Sequence, residues 1–283
     1  MKRANVLGAA LVVAGLTAVA GPASAQVTLG ADAGIFSDYV WRGITYTNKL
    51  VVQPDLYLTF PAGKASITVG GWGNLELGAY TDASDISENG SEGAGLAEFD
   101  WWAEVGFPVG EKATITAGAT GYVFPNDDGF TSDFNTVELY GKVGLSVPLN
   151  PKLSVWYDVD KVDGAYFEGS VSHSFPASEA VSVTVGALAG FSAGQHADLD
   201  SGGNSQADFF NFLDNGFTHL DLSAAVPFTA GPFSISPAVH LVITGDEFTK
   251  FDSATGNEKD AKFWFGGTIS WSRAFGGEEA AEE

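Results

Sequence analysis

After its first 25 residues the chain is a succession of runs of about ten residues that alternate apolar with polar or small side chains, and two kinds of connection separate them in strict order. One kind is a short proline phrase: "FPAGK" from 60, "FPVGEK" from 107, "VPLNPK" from 147, "FPASEA" from 175 and "VPFTAGP" from 226. The other is mostly longer, acidic and rich in Gly, Asn and Ser, beginning at residues 44, 78, 124, 161, 192 and 245. Five turns alternating with six loops divide the chain into twelve strands, with both ends on the short-turn side. The prolines Pro61, Pro108, Pro148, Pro176 and Pro227 are too unevenly spaced for a solenoid. Proline suits such turns, because its φ is fixed and its missing N–H matters little where a ladder ends.

Each run has two faces. In "LAEFDWWAEVGF" Phe99, Trp101, Ala103, Val105 and Phe107 share one side, and Glu98, Asp100, Trp102 and Glu104 share the other. In "PKLSVWYDVD" the division is Leu153, Val155, Tyr157 and Val159 against Ser154, Trp156, Asp158 and Asp160. Runs of this length match a strand tilted across a bilayer. An even strand count with short turns at one end and long loops at the other is the pattern of outer-membrane barrels. The expected fold is therefore all-β: a single antiparallel transmembrane β-barrel of about twelve strands over residues 26–275. A secreted soluble β-sandwich would also alternate and is the competing reading. Pro54 and Pro237 count against either, since both fall inside strands and remove a ladder donor.

The first 25 residues, with Lys2 and Arg3 before an apolar run and Ala23 and Ala25 before Gln26, form a secretory signal peptide cut after Ala25. No other segment is apolar enough for a spanning helix. The exported chain has no cysteine, so no disulfide or thiolate metal site holds it together. With 35 acidic residues against 13 basic ones, nucleic acid is excluded as a partner and cations are the natural small partners. Residues 276–283 form an acidic C-terminal tail.

Aromatic residues gather where interfacial girdles belong: Phe60, Phe107, Phe175 and Phe228 beside the turns, and Tyr39, Trp41, Tyr80, Phe99, Trp101, Phe124, Tyr166, Phe191 and Phe263 toward the loops. The last run, "AKFWFGGTISWSRAF", is similar to the C-terminal targeting strand of outer-membrane barrels, although Arg273 interrupts its apolar side and the acidic tail follows Phe275.

The stretch "SDYVWRGITYT" at residues 37–47 resembles the "SDYVxRGxS" opening of the TorF-like porin family of the proteobacterial outer membrane. Ser37, Asp38, Tyr39, Val40, Arg42 and Gly43 match, and Thr45 stands where the pattern has serine. The resemblance implies an outer-membrane barrel of porin type and brings no substrate or binding residue with it.

The polar faces collect candidate lumen-lining residues: Arg42, Asp55, Glu76, Glu98, Asp100, Trp102, Glu104, Glu138, Lys142, Asp158, Glu168 and Asp221. Carboxylates outnumber bases there, which would favour cations in an open pore. Twelve strands lie between the eight that side chains can fill and the sixteen that leave a channel, so an open and a plugged lumen both fit. Arg42 is better suited to pairing with neighbouring acids than to holding a solute, and Trp72, Trp102 and Trp156 to lumen packing than to stacking on sugars.

Catalysis is not expected. His173 and Ser174 adjoin the Pro176 turn at the wrong end for an outer-rim hydrolase, and His196, His219 and His240 have no nucleophile pattern beside them. The acidic loops, with Asp82, Asp85, Glu88 and Glu92 in one and Asn126, Asp127 and Asp128 in another, lack EF-hand spacing and read as solvated. No cofactor is expected. The partners are outer-membrane lipids, the barrel-assembly machinery and small solutes or cations. The expectation is a passive diffusion channel of the outer membrane for small, cationic or neutral solutes. A non-conducting structural or adhesive barrel is the alternative beside the soluble protein.

Overall fold

The computed structural model describes residues 26–78, 95–125, 135–178, 181–195, 215–244 and 261–276, and the backbone at 251–252 and 257–258. The leader, most of the long loops with their acidic residues, His196, Tyr80 and the tail beyond Gly276 lie outside the described residues.

In chain order the strands are β1 (Val27–Phe36), β2 (Tyr39–Trp41), β3 (Ile44–Thr47), β4 (Val51–Ala62), β5 (Ala65–Glu76), β6 (Gly95–Val109), β7 (Ala113–Val123), β8 (Thr136–Leu145), β9 (Lys152–Asp158), β10 (Ala165–Pro176), β11 (Ser182–Ala193), β12 (Gly216–Ala225), β13 (Phe228–Ala230), β14 (Phe233–Thr244), β15 (Phe251–Asp252), β16 (Asn257–Glu258) and β17 (Ala261–Phe275). Twelve of them, β1, β4 to β12, β14 and β17, form one antiparallel sheet in ring order. β1 pairs with both β4 and β17, and the β12–β14 pairing closes the ring. Closure leaves no open edge, so each strand of the ring has a hydrogen-bonded neighbour on both sides.

The faces are inverted relative to a soluble protein. Leu56, Phe107, Leu139, Phe167, Val185 and Phe263 are exposed on the outside, while Glu76, Glu138, Asp158 and Thr136 are buried. A soluble sandwich would bury the first set, so the apolar face is the one that meets lipid. Among the described residues no helix is long and apolar enough to cross a membrane; the strands do so. The five proline phrases are the short turns, with Gly63 (φ 65°), Gly110 (φ 64°) and Gly231 (φ 61°) in left-handed geometry.

Both interior prolines sit at seams. The β4–β5 ladder is interrupted between Val52 and Asp55, and Pro54 keeps only its place opposite Ala33 on β1. Pro237 marks the point where β14 exchanges β12 for the short β13. Among the described residues of the ring, two bulges break the strict alternation. Ala97 is the extra residue between Leu96 and Glu98 on β6, and Thr218 the extra one between Phe217 and His219 on β12, so each bulge buries two successive residues.

Residues 38–47 depart from the expectation of a strand end followed by an outer loop. After β1 the chain folds inward as a hairpin of β2 and β3, with Trp41 opposite Ile44 across a two-residue turn. That turn has Arg42 at φ 50° and Gly43 at φ 86°, both left-handed, as a type I′ turn requires. Ile44 and Thr47 are wholly buried and Thr45 nearly so. β15 joins β3 in parallel, with the Asp252 backbone opposite Thr45 of the hairpin. Tyr39, Trp41 and Tyr166 therefore do not belong to the lipid-facing girdle. The first two lie in the hairpin and the third packs against it from the wall.

Candidate functional site: a barrel lumen crossed by its own hairpin

The hairpin touches inward-facing side chains from strands all around the ring. At its base Lys262 of β17 binds Asp38 at 2.5 Å, and Thr47 donates to Glu76 of β5. On one flank the ring of Tyr39 lies 5.8 Å from that of Trp72. At the tip, a Cβ added at Gly43 would come within 2.7 Å of His219 on β12. Only glycine satisfies both the turn and this approach.

The tip's central contact is Arg42. Its two terminal nitrogens donate to the two oxygens of Glu138 on β8, at 2.8 and 2.7 Å, and one of them donates also to Gln195 Oε1 at 3.1 Å. The guanidinium carbon lies 4.1 Å from the Trp41 ring centre, 4.2 Å from Tyr166 and 5.5 Å from Trp156. Glu138 accepts two further bonds, from the Tyr122 hydroxyl at 2.8 Å and from Gln195 Nε2 at 3.0 Å. Its four acceptor sites are thus engaged and its side chain is 0% exposed. Burial disfavours the Arg42 cation, yet the Glu138 carboxylate more than offsets this and raises the arginine's pKa above its ordinary value.

The twelve candidate residues divide into two sets. Arg42, Glu76, Glu98, Asp100, Glu138 and Asp158 are buried at the level of the hairpin. Asp158 is consumed locally: Oδ1 accepts the N–H groups of Asp160, Lys161 and Val162 at 3.0, 2.8 and 2.9 Å, and Oδ2 accepts the Thr136 hydroxyl at 2.6 Å. It caps a short loop, and Asp160 lies in that loop because β9 ends at Asp158.

The second set, Asp55, Trp102, Glu104, Lys142, Glu168 and Asp221, is partly accessible within the barrel. Lys142 pairs with Glu104 at 3.2 Å, and the Tyr140 hydroxyl donates to the same carboxylate at 3.0 Å. Asp221 pairs with His240 at 2.9 Å, whose ring stacks on Trp264 at 3.9 Å. Trp102 donates to Asp55 at 3.3 Å and lies over Gly70, where a Cβ would fall 2.5 Å from the indole. Asp32 stands directly across from Asp55 in the β1–β4 register. Toward the turns the inward face is hydroxyl-rich, with Ser170, Ser172, Ser174, Thr184, Ser234 and Ser270.

Gln195 and Tyr122 join the site without being among the candidate residues, and Tyr166 joins it from the expected aromatic girdle. Tyr122 carried a signal, because it lies on the polar phase of its strand; Gln195 lies past the end of β11 with none. Trp72 and Trp156 pack against the hairpin, leaving Trp102 alone of the three on the accessible wall. His173 and Ser174, as successive residues of β10, point to opposite faces, and Ser174 is hydrogen-bonded to Thr184 at 2.9 Å. Among the described residues no three acidic or histidine side chains converge to hold a metal ion.

A closed antiparallel barrel with an apolar outside, a polar inside and a hairpin drawn across its lumen is of the outer-membrane β-barrel class. The chain belongs to the bacterial family of unknown function Gcw_chp, whose model matches residues 19–202. Among solved structures, the COG4313 outer membrane channel from Pseudomonas putida F1 shares the fold, with a TM-score of 0.50 at 9% identity over 90% of this chain and 97% of that one. LpxR from Salmonella typhimurium aligns at a TM-score of 0.46 and 9% identity over 86% and 99% of the two chains. The TodX monoaromatic hydrocarbon channel deltaS2 mutant aligns at 0.40 and 10% identity over 92% of each. No curated protein matches the chain.

Proposed function

We propose that this chain is a passive, non-enzymatic channel of the outer membrane for small polar solutes, cationic or neutral, and that its hairpin sets the constriction. The observation that carries the reading is the accessible part of the lumen. Asp32, Asp55, Glu104, Glu168 and Asp221 line it together with serine and threonine hydroxyls; Lys142 pairs with Glu104, His240 with Asp221, and Arg42 and Lys152 act on Glu168. A carboxylate surplus inside low-dielectric walls favours cations. The resemblance of residues 37–47 to TorF-like porins supports the same reading. Export would use the leader cut after Ala25, and insertion the barrel-assembly machinery, for which the aromatic strand β17 and the lipid-facing band are suited.

The test is the reversal potential of the refolded barrel under a salt gradient. Converting Asp55, Glu104, Glu168 and Asp221 to their amides lowers the cation/anion permeability ratio, most at about 0.01 M salt, where the Debye length is about 30 Å. An unchanged ratio defeats the solute preference. One observation favours a second reading, that of a non-conducting structural barrel: the hairpin is pinned on both sides of the lumen by buried polar bonds. A folded barrel that gives no current above the bare bilayer, with or without its hairpin docked, would establish that reading instead.

A further inference from the structure

Arg42 fills a receptor that the barrel supplies. Beside Trp41 of the hairpin itself, the wall and its rim supply Glu138 on β8, Trp156 on β9, Tyr166 on β10 and Gln195 just beyond β11 around its guanidinium. Part of the receptor is held by the wall itself. Tyr122 and Gln195 Nε2 each hold one oxygen of Glu138, and Gln195 Nε2 also reaches the Gly164 carbonyl at 3.4 Å, which fixes the carboxylate and the amide toward the lumen. The Tyr166 ring is in turn packed against Trp156, their centres 5.7 Å apart.

Such an arrangement selects by shape. Two carboxylate oxygens set side by side match the planar fork of a guanidinium or amidinium, and an aromatic face suits its flat, weakly hydrated cation. A primary ammonium is a compact, strongly hydrated point charge that cannot use both oxygens in the same plane. The hairpin delivers this group at some conformational cost, because arginine is a poor residue for left-handed φ and the turn would be content with asparagine or glycine.

We infer that the lumen wall carries a guanidinium-binding site, which the chain occupies with its own Arg42 when the hairpin is docked. The ligand class it takes when the hairpin is withdrawn is a small solute bearing a guanidinium or amidinium group. The inference rests on the channel reading only for the route by which a solute reaches the site. Tethering gives Arg42 an effective concentration on the order of millimolar, so free ligand competes poorly in the intact protein and binds once the side chain is removed.

The experiment uses the full refolded barrel in detergent with Arg42→Ala and, separately, Arg42→Gln, which keeps a shorter hydrogen-bonding side chain without charge. N-ethylguanidinium and N-ethylammonium are titrated, with binding read by calorimetry and by tryptophan emission. The expected result is saturable binding of N-ethylguanidinium, at least about tenfold tighter than N-ethylammonium, abolished by adding Glu138→Gln and absent from the wild type at the same concentrations. Should the arginine variants refold poorly, N-ethylguanidinium present during refolding restores the yield and N-ethylammonium does not. Equal binding or equal rescue by the two cations, persistence after Glu138→Gln, or no binding by a folded variant overturns the site. A variant that binds as expected while passing no current overturns the channel reading and leaves the site standing.

Discussion

Removing the Arg42 side chain should undock the hairpin while leaving the barrel intact, because its bonds to the Glu138 and Gln195 side chains are separate from the strand ladder. Glu138 is fully buried and receives two of its four hydrogen bonds from Arg42. Breaking such a pair from one side costs about 3 to 5 kcal/mol, since an uncompensated buried charge remains. With about 1.4 kcal/mol per factor of ten, the undocked population should rise by about two to three and a half decades, up to the point where that form dominates. The chain has no cysteine, so Ile44→Cys places a single reporter at a wholly buried hairpin position. Its reaction with a maleimide–polyethylene glycol, followed by gel shift, tracks the open fraction when opening and closing are fast relative to labelling. The Arg42→Ala background should label faster by that factor, while heat-modifiable migration of the barrel is kept. Arg42→Gly should give a somewhat smaller increase, because glycine adopts the left-handed turn without the strain that alanine retains. Equal labelling rates with and without Arg42 would refute the latch.

Two further substitutions test the wall. Ala103→Arg places a charge on the lipid face and should destabilise the barrel by about 2 to 4 kcal/mol near the midplane, whereas Trp102→Arg, beside Asp55, should be tolerated; urea unfolding from lipid vesicles compares them, and equal cost would contradict the assigned faces. Gly70→Ala drives a methyl into the Trp102 indole, at a cost of about 1 to 3 kcal/mol for overpacking, and should shift the tryptophan emission as the bond to Asp55 is lost; unchanged emission and stability would show that Trp102 does not lie against the wall.

The ring itself was legible in the sequence, because an alternating strand with a proline turn at one end and a polar loop at the other repeats a simple rule, and the register between neighbours follows from the turns. The hairpin was not. Tyr39, Trp41 and Tyr46 are aromatic and close to a loop, which on a barrel strand means the lipid interface, and nothing local distinguishes that from stacking inside the lumen. The turn's Arg-Gly pair is also a weaker signal than Asn-Gly. Long-range partners such as Glu138 and Gln195, 96 and 153 residues from Arg42, leave no local trace. The bulges at Ala97 and Thr218 break the period that reveals strands in the first place. Asp158 shows the converse failure: a carboxylate on the correct phase whose charge is taken up by the three N–H groups that follow it.

Single-channel recording of the refolded barrel in a planar bilayer tests the central claim, that the Arg42–Glu138 latch holds the hairpin across the lumen. The wild type should show small or infrequent conductance, and Arg42→Ala, at equal insertion, a larger or longer-lived open level. Indistinguishable open levels and lifetimes from two conducting proteins would contradict the claim.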